Sequence, residues 1–563
     1  MSLLGVPAIA LAIFAGAFVV RLCVALRVQM TWDEGVYALL GASYIRNIAT
    51  RNFSKPAWDL EFHPPIVMYI YGLIYAVYVA LTSFVNQGFS FNIDELSEEA
   101  VKSFSGRRTL MILRLPSMIM GSLCCVVTYL LVVSLAGNSL VGIMAALFLA
   151  LTPHFVIWTS LVTSDVGVSF FFTLSIFFLL VSPGIPYLFI GSAIAMGLAL
   201  GSKETGTPLP LIMILFGFLT GFVNLVDMII WLGIGLLIFY ASWPLLWRNP
   251  VKVYVEHART VSVMLSRKSA GVTYYLRQLF FSSPLTLFAL YLVGFFLVIV
   301  GKLSDPFYFM LLLWTLIPVL IMSLPKVPKR GGVSELIVTI PAFSILAAVA
   351  AEEIASTTFL GSYVPLMVFG VLFAETLRFY PHYMNFRNIL GSEKEIPVGW
   401  FGEGMDQALE FIDKNAPLNS TIWIYGPKTT AYYYSNRVNT ERSLELEGLF
   451  QMRKRAGFDT SGAKTTVDPY FKKWKKGDLK FFFPYFHRED YVGFDSELFR
   501  KDNVSYILVI NWAYVDELDA GNLAIVEELR RNHVPVFTAS FKGSEVCWVF
   551  DVQVYSRIAE KQI

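Results

Sequence analysis

DVGVSFFFTLSIFFLLVSPGIPYLFIGSAIAMGLALGSKE, residues 165–204, decides the fold. No charged residue stands between Asp165 and Lys203, and two apolar runs, 166–182 and 186–202, meet at a Ser-Pro-Gly break. Each run has about the minimum length for a transmembrane helix. The stretch therefore predicts a helical hairpin that crosses a bilayer and returns, leaving Asp165 and the Lys203-Glu204 turn on one side. Similar runs occupy 5–26, 111–134, 140–157, 206–222, 226–244, 284–301, 307–323, 335–353 and 359–377, giving about eleven spans. The first, with no small-residue cleavage site after it, is expected to be a retained span rather than a signal peptide. Composition agrees: of 563 residues 56% are hydrophobic and 15% charged, against about 45–50% and 25% in soluble domains.

The net charge of +2 says nothing about partners, and no long basic tract points to nucleic acid, which is not expected as one. The four cysteines, Cys23, Cys124, Cys125 and Cys547, have no metal-binding spacing and are expected to pack. The run 66–84 is apolar enough to span, yet its tyrosine and phenylalanine rings suit an interfacial helix. The interfacial reading keeps the first loop, about 28–110, on the side of the C-terminal region. Basic residues, Arg46, Arg51, Arg107, Arg108, Lys203 and Arg248 among them, then fall on that outer side. This runs against the usual cytoplasmic bias of lysine and arginine, and holding an anionic lipid phosphate would account for it.

Past residue 380 the sequence becomes that of a soluble domain. TIWIYG (421–426) and SYILVI (505–510) read as buried strands, NLAIVEELRRN (522–532) as an amphipathic helix, and PVFTASF and VCWVFDV as further strands. The domains are thus 1–379, transmembrane, and 380–563, α/β and extracytoplasmic. The latter has no glycine-rich phosphate loop and no catalytic cluster. Asn52, Asn419 and Asn503 head Asn-X-Ser/Thr triplets, all on the outer side.

Three outer segments carry polar residues that composition does not explain. In TWDEGVYALL, Asp33 and Glu34 open a helix that also carries Tyr37. A carboxylate there suits a helix cap or a general base that removes a hydroxyl proton. Glu61-Phe-His63-Pro64-Pro65 opens the 66–84 helix; His63 could cap it or donate to a phosphate. Asp165, beside Ser164, is either a cap or a site residue. Lys203 and Glu204 could pair with each other, but a cation at a membrane-embedded pocket defaults to a functional role.

Taken in order, these segments resemble the C-type-fold glycosyltransferases that use polyprenyl-phosphate sugars. The nearest groups are the dolichyl-phosphate-mannose protein mannosyltransferases of family 39 and the aminoarabinose lipid A transferases. The matching stretches are Asp33-Glu34 with Tyr37, His63-Pro64-Pro65, ILRLPSMIMG (112–121), SLVTSDVGVSFFF, GLALGSKETG, GVTYYLRQLFFSSPLTL, and PHYMNFRNILG with VGWFGEGMDQALEFI. The resemblance implies two interfacial helices in the first outer loop, Asp33 as catalytic base with Glu34 as helper, and His63 by the donor phosphate. It implies Asp165 near the site, with Tyr37 and Glu61, and Lys203, Arg248 and Arg330 as phosphate-binding cations. In PKVPKRGGVSELIVTIPAF, Ser334-Glu335 stands where the family's arginine-tyrosine pair is expected. The loop 246–283 is too short for the β-trefoil insert of eukaryotic protein mannosyltransferases.

The function so implied is inverting transfer of a sugar, mannose by family precedent, from a polyprenyl or dolichyl phosphate to a protein, glycan or lipid hydroxyl. It would act at the outer face of the plasma membrane. No cofactor is required; a divalent cation is an option, for which Glu61, His63 and His257 are available ligands. A transporter or flippase of a lipid-linked sugar is the alternative, though no internal repeat of hydropathy supports it. A non-catalytic assembly subunit is a third reading.

Overall fold

The structure is a computed structural model. It describes residues 5–53, 63–87, 107–265, 271–325, 332–359, 363–392, 402–426, 428–439, 476–483, 503–511, 529–541 and 544–552, with residues 93, 96, 327, 361, 396 and 527 between them. Among these, six helices are long and apolar enough to cross a membrane, and six shorter apolar helices accompany them. This is the architecture of an integral membrane protein; most expected spans fall on helices, but 140–157 is broken at Thr152 and 335–353 starts in a 3-10 segment before its helix.

The helices run α1 (Gly5–Ala25), α2 (Trp32–Ala49), α3 (Ile66–Gln87), α4 (Arg107–Ala136), α5 (Ser139–Leu151), α6 (Pro153–Trp158), α7 (Asp165–Val181), α8 (Tyr187–Leu200), α9 (Pro208–Thr220) and α10 (Leu225–Ser242). There follow α11 (Pro250–Leu265), α12 (Tyr274–Ser282), α13 (Leu285–Gly301), α14 (Pro306–Ser323), α15 (Ile340–Thr357) and α16 (Tyr363–Leu377). Their boundaries have local causes. Asn138 and Asn224 accept backbone N–H bonds at the starts of α5 and α10, and Asp305 does so before α14. Prolines occupy the first turns of α6, α9 and α14, where no backbone donor is needed. Most of α15 is buried, its run of alanines letting its neighbours close around it. Before it, residues Gly332–Thr339 form a wholly buried 3-10 segment.

The two helices of the first loop pack along each other. The built Cβ of an alanine at Gly72 would lie 2.0 Å from the Gly41 carbonyl oxygen, and one at Gly41 would lie 2.6 Å from the Met68 carbonyl oxygen. Only glycines permit so close a crossing. One face of α3 (Val67, Met68, Tyr71, Tyr75) is buried against α2 and α4, while Leu73, Val77 and Leu81 point outward. The amide of Ile66 bonds to the Gly201 carbonyl at 2.8 Å, tying the start of α3 to the turn after α8.

The C-terminal part has its own apolar core, running from Met405 to Val552. It contains α17 (Met405–Asn415), α18 (Lys428–Tyr434) and strands β1 (Thr421–Tyr425), β2 (Lys480–Phe482), β3 (Val504–Ile510), β4 (Phe537–Phe541) and β5 (Ser544–Asp551). The strand order is β2-β1-β3-β5-β4, parallel across β2-β1-β3 and antiparallel across β3-β5-β4. Both β1 and β3 are buried along their whole length, which is why they read as unbroken apolar runs. Residues 527 and 529–532 of the expected 522–532 helix are helical; 522–526 and 528 lie outside the described residues. Phe379, Tyr383, Met384 and Phe386 belong to the core of the membrane half, so the chain is anchored there before the second core begins.

Arg437 ties this domain together: its Nε donates to Asp478 Oδ1 at 3.0 Å and its Nη1 to the carbonyls of Asp413 and Ala416. Those bonds hold the Asp478 carboxyl below the usual carboxylate range. A depressed pKa stabilises above the unfolded value, near 3.9, and the gain is lost as pH falls through the folded value. The melting-temperature gap between wild type and Asp478→Asn is therefore expected to be full at neutral pH and to close below about pH 4, in scanning fluorimetry of the detergent-solubilised chain. Gly72→Ala is expected to destabilise by about 1–3 kcal/mol through overpacking, measured the same way.

Candidate functional site

One guanidinium organises one end of the first helices. Arg114, 1% exposed, uses all five N–H donors. Nε and Nη2 grip the two oxygens of Glu34 at 2.7 Å each. The other bonds go to the carbonyls of Ala25, Val28 and Gln29, where α1 gives way to the first loop. Glu34, fully buried, also accepts from the Thr31 amide at 2.9 Å and the Val162 amide at 3.1 Å. A carboxylate offers about four lone-pair positions, so all are taken. Glu34, expected as a helper in the chemistry, has no position left for a substrate proton. It holds α2 in place and closes the cap at Thr31.

Asp33 has a different environment. It is one residue, or about 100°, round the helix from Glu34, is partly exposed, and faces the side of Tyr37, one turn on. Burial first, then the Asp33 and Asp165 carboxylates and a smaller effect of Glu204, push the Tyr37 phenol well above its ordinary pKa; the Ser164 hydrogen bond opposes them. Tyr37 thus marks the place where the three carboxylates converge. Its hydroxyl lies 3.1 Å from Ser164 Oγ, and its ring stacks on His63 with centroids 6.2 Å apart.

His63 is joined through Nδ1 to Glu204 Oε2 at 2.8 Å, and His257, from α11, through Nε2 to Glu204 Oε1 at 2.7 Å. One carboxylate therefore bridges a histidine of the first loop and one of the loop after α10. His257 also meets the Trp243 ring edge to face, at 5.0 Å. The adjacent Lys203 faces elsewhere: its ammonium is 2.8 Å from Asp165 and 3.3 Å from Glu335, all three being 5% exposed or less. Its backbone is extended (φ −161°, ψ 153°), and successive side chains of extended backbone point to opposite sides. The expected Lys203–Glu204 turn thus serves two neighbouring clusters, and the ammonium expected to meet a phosphate is in contact with two carboxylates.

Of the residues expected from the sequence, Asp33, Tyr37, His63 and Asp165 come together around this point, with Lys203 behind Asp165. Arg248 is exposed at the rim, where Nη2 donates to the Phe53 carbonyl at 3.3 Å. Glu61 and Arg330 lie outside the described residues. The sequence reading missed Arg114 as a site residue. Its signal was a lone arginine in the apolar stretch ILRLPSMIMG. Among the described residues no three His, Cys, Asp or Glu side chains are arranged to hold a metal ion.

The comparisons agree with this architecture. Residues 103–247 match the family model described as dolichyl-phosphate-mannose-protein mannosyltransferase. Among solved structures, ArnT from Cupriavidus metallidurans in the apo state superposes with a TM-score of 0.51 at 13% identity, over 96% of this chain and 97% of that one. At that identity the likeness is one of fold: the chain has the C-type glycosyltransferase fold, with a C-terminal sheet domain. The same ArnT bound to undecaprenyl phosphate gives 0.48 at 14% identity over 97% of both chains. The archaeal oligosaccharyltransferase AglB from Archaeoglobus fulgidus, in complex with an inhibitory peptide and a dolichol-phosphate, gives 0.45 at 13% identity, over 92% of this chain and 72% of that one. No curated protein matches the sequence.

Removing either partner of the Arg114–Glu34 pair would strand a buried charge, at a cost of about 3–5 kcal/mol. Arg114→Met and Glu34→Gln are each expected to lower the yield of monodisperse protein sharply, or its melting temperature by many degrees, in size-exclusion chromatography and scanning fluorimetry.

Proposed function

We propose that the protein transfers a sugar from a polyprenyl-phosphate carrier to a hydroxyl acceptor, with inversion, at the outer face of the membrane. The observation that carries this reading is the unlike fate of two neighbouring carboxylates. Glu34 is saturated by Arg114 and backbone amides, while Asp33 is left partly exposed at the point where Tyr37, His63 and Glu204 converge. The fold and the family match over 103–247 support the same class.

In this reading Asp33 takes the proton of the acceptor hydroxyl as its oxygen bonds to the anomeric carbon. The bond from that carbon to the phosphate oxygen breaks, and its electron pair leaves with the polyprenyl phosphate. His63, oriented through Nδ1 by Glu204, is placed to meet the phosphate as charge grows on it. Tyr37 buttresses the imidazole ring. Asp165, Lys203 and Glu335 form the buried floor behind. Carboxylates outnumber fixed cations among the described side chains here. The phosphate would therefore rely on N–H donation from His63 and on basic residues: Arg248 at the rim and, outside the described residues, Lys329 and Arg330. Mannose is the sugar that the family match favours, and the acceptor is a protein, glycan or lipid hydroxyl.

Replacing Asp33 with Asn tests this. Loss of a general base costs typically about 10²–10⁴-fold, so Asp33→Asn is expected to lose transfer from a radiolabelled polyprenyl-phosphate mannose by that factor. Its melting temperature should stay close to that of the wild type, since Asn keeps the shape of the partly exposed side chain and still suits the first turn of a helix. Wild-type activity in Asp33→Asn would remove the residue from the role. Movement of the donor across vesicle leaflets without transfer would instead identify a flippase.

A further inference from the structure

We infer that Tyr434 of the C-terminal domain is a positioning residue for Asp33, so that the docked sheet domain completes the catalytic loop. This rests on the reading of Asp33 as the base. The hydroxyl of Tyr434 accepts a hydrogen bond from the Met30 amide at 2.8 Å, across 404 residues of sequence. Met30 is 1% exposed, and no helical bond is available to its N–H, because it stands just before the N-cap residue Thr31 of α2. The next amide, Thr31, is satisfied by Glu34. Two consecutive donors at the entry of the helix that carries Asp33 are thus fixed by two different bodies: one by the membrane-anchored Glu34–Arg114 pair, the other by the sheet domain.

The rest of α18 is built for the same contact. Tyr433 and Tyr434 stand edge to face at 4.9 Å and pack against the first-loop core that contains Met30, Tyr37 and Tyr71. Arg114 and Glu34 lie close enough to Tyr433 to act electrostatically on its phenol. Behind them the helix is locked to its own domain. Ser435 Oγ donates to Asp413 Oδ1 at 2.7 Å, and Arg437 clamps the following turn to Asp478. A shift of the sheet domain is therefore passed to Met30 without slack. Tyr434 acts through the backbone ahead of Asp33.

Tyr434→Phe keeps the ring and removes the hydroxyl. With full-length protein and polyprenyl-phosphate mannose, kcat is expected to fall about 10- to 100-fold, the loss that a small misplacement of a catalytic group produces. The KM for donor should stay within about twofold, because uniform binding is untouched. Hydrogen exchange at the amides of residues 30–36 should speed up, while the spans keep their protection. A lower melting temperature with wild-type kcat and unchanged exchange at 30–36 would make Tyr434 a structural contact only and overturn the inference. Should Tyr434→Phe fail to fold, Ser435→Ala releases the residue just after Tyr434, past the end of α18, from Asp413 and is expected to show the same two changes in smaller measure; wild-type behaviour there overturns it equally. If Asp33→Asn proves active, the base assignment falls, and exchange at 30–36 still decides whether Tyr434 sets the loop.

Discussion

The site hangs on the buried ion pair between Arg114 and Glu34. Taking both charges out of water is costly and is offset only when the remaining donors and acceptors are met. Here they are: five bonds leave the guanidinium and four reach the carboxylate. Those partners come from the end of α1, the start of α2 and the turn before α7. Two stretches of chain that are far apart in sequence, residues 25–34 and the turn at Val162, are thereby fixed to α4. Without the pair, none of the bonds around Asp33, Tyr37 and His63 would have a stable frame.

The same pair divides the labour between adjacent acids. On a helix, neighbouring residues face directions about 100° apart, while residues four apart share a face. Glu34 turns to the protein and becomes structure; Asp33 turns to Tyr37, and through it to His63 and Glu204. Glycines at 41 and 72 let α2 and α3 approach closely enough for that meeting. A structural acid and the acid proposed for the chemistry can therefore sit side by side in sequence without competing for one environment.

Much of this was legible in the sequence, for identifiable reasons. The spans were visible because charges are absent from them, and the strands around Trp423 and Leu508 because parallel strands buried on both faces need unbroken apolar runs. Asp33, His63 and Asp165 stood out as polar residues at the edges of apolar segments. Arg114 showed its cost, being a lone cation in an apolar run, but not its partner eighty residues earlier. Lys203 and Glu204 suggested a local pair, and the extended backbone at Lys203 sends them to different partners. Tyr434 gave no signal at all: a tyrosine in a three-tyrosine run looks like ordinary core, and only the fold brings it to Met30.

The anchoring of Tyr383, Met384 and Phe386 in the membrane half has a mechanical meaning. The sheet domain is pinned there, where His382 meets Phe541 at 4.6 Å, and again where Tyr434 meets the first loop. Two anchors so far apart along the chain resist tilting of the sheet domain better than either would alone, as two hands steady a tray.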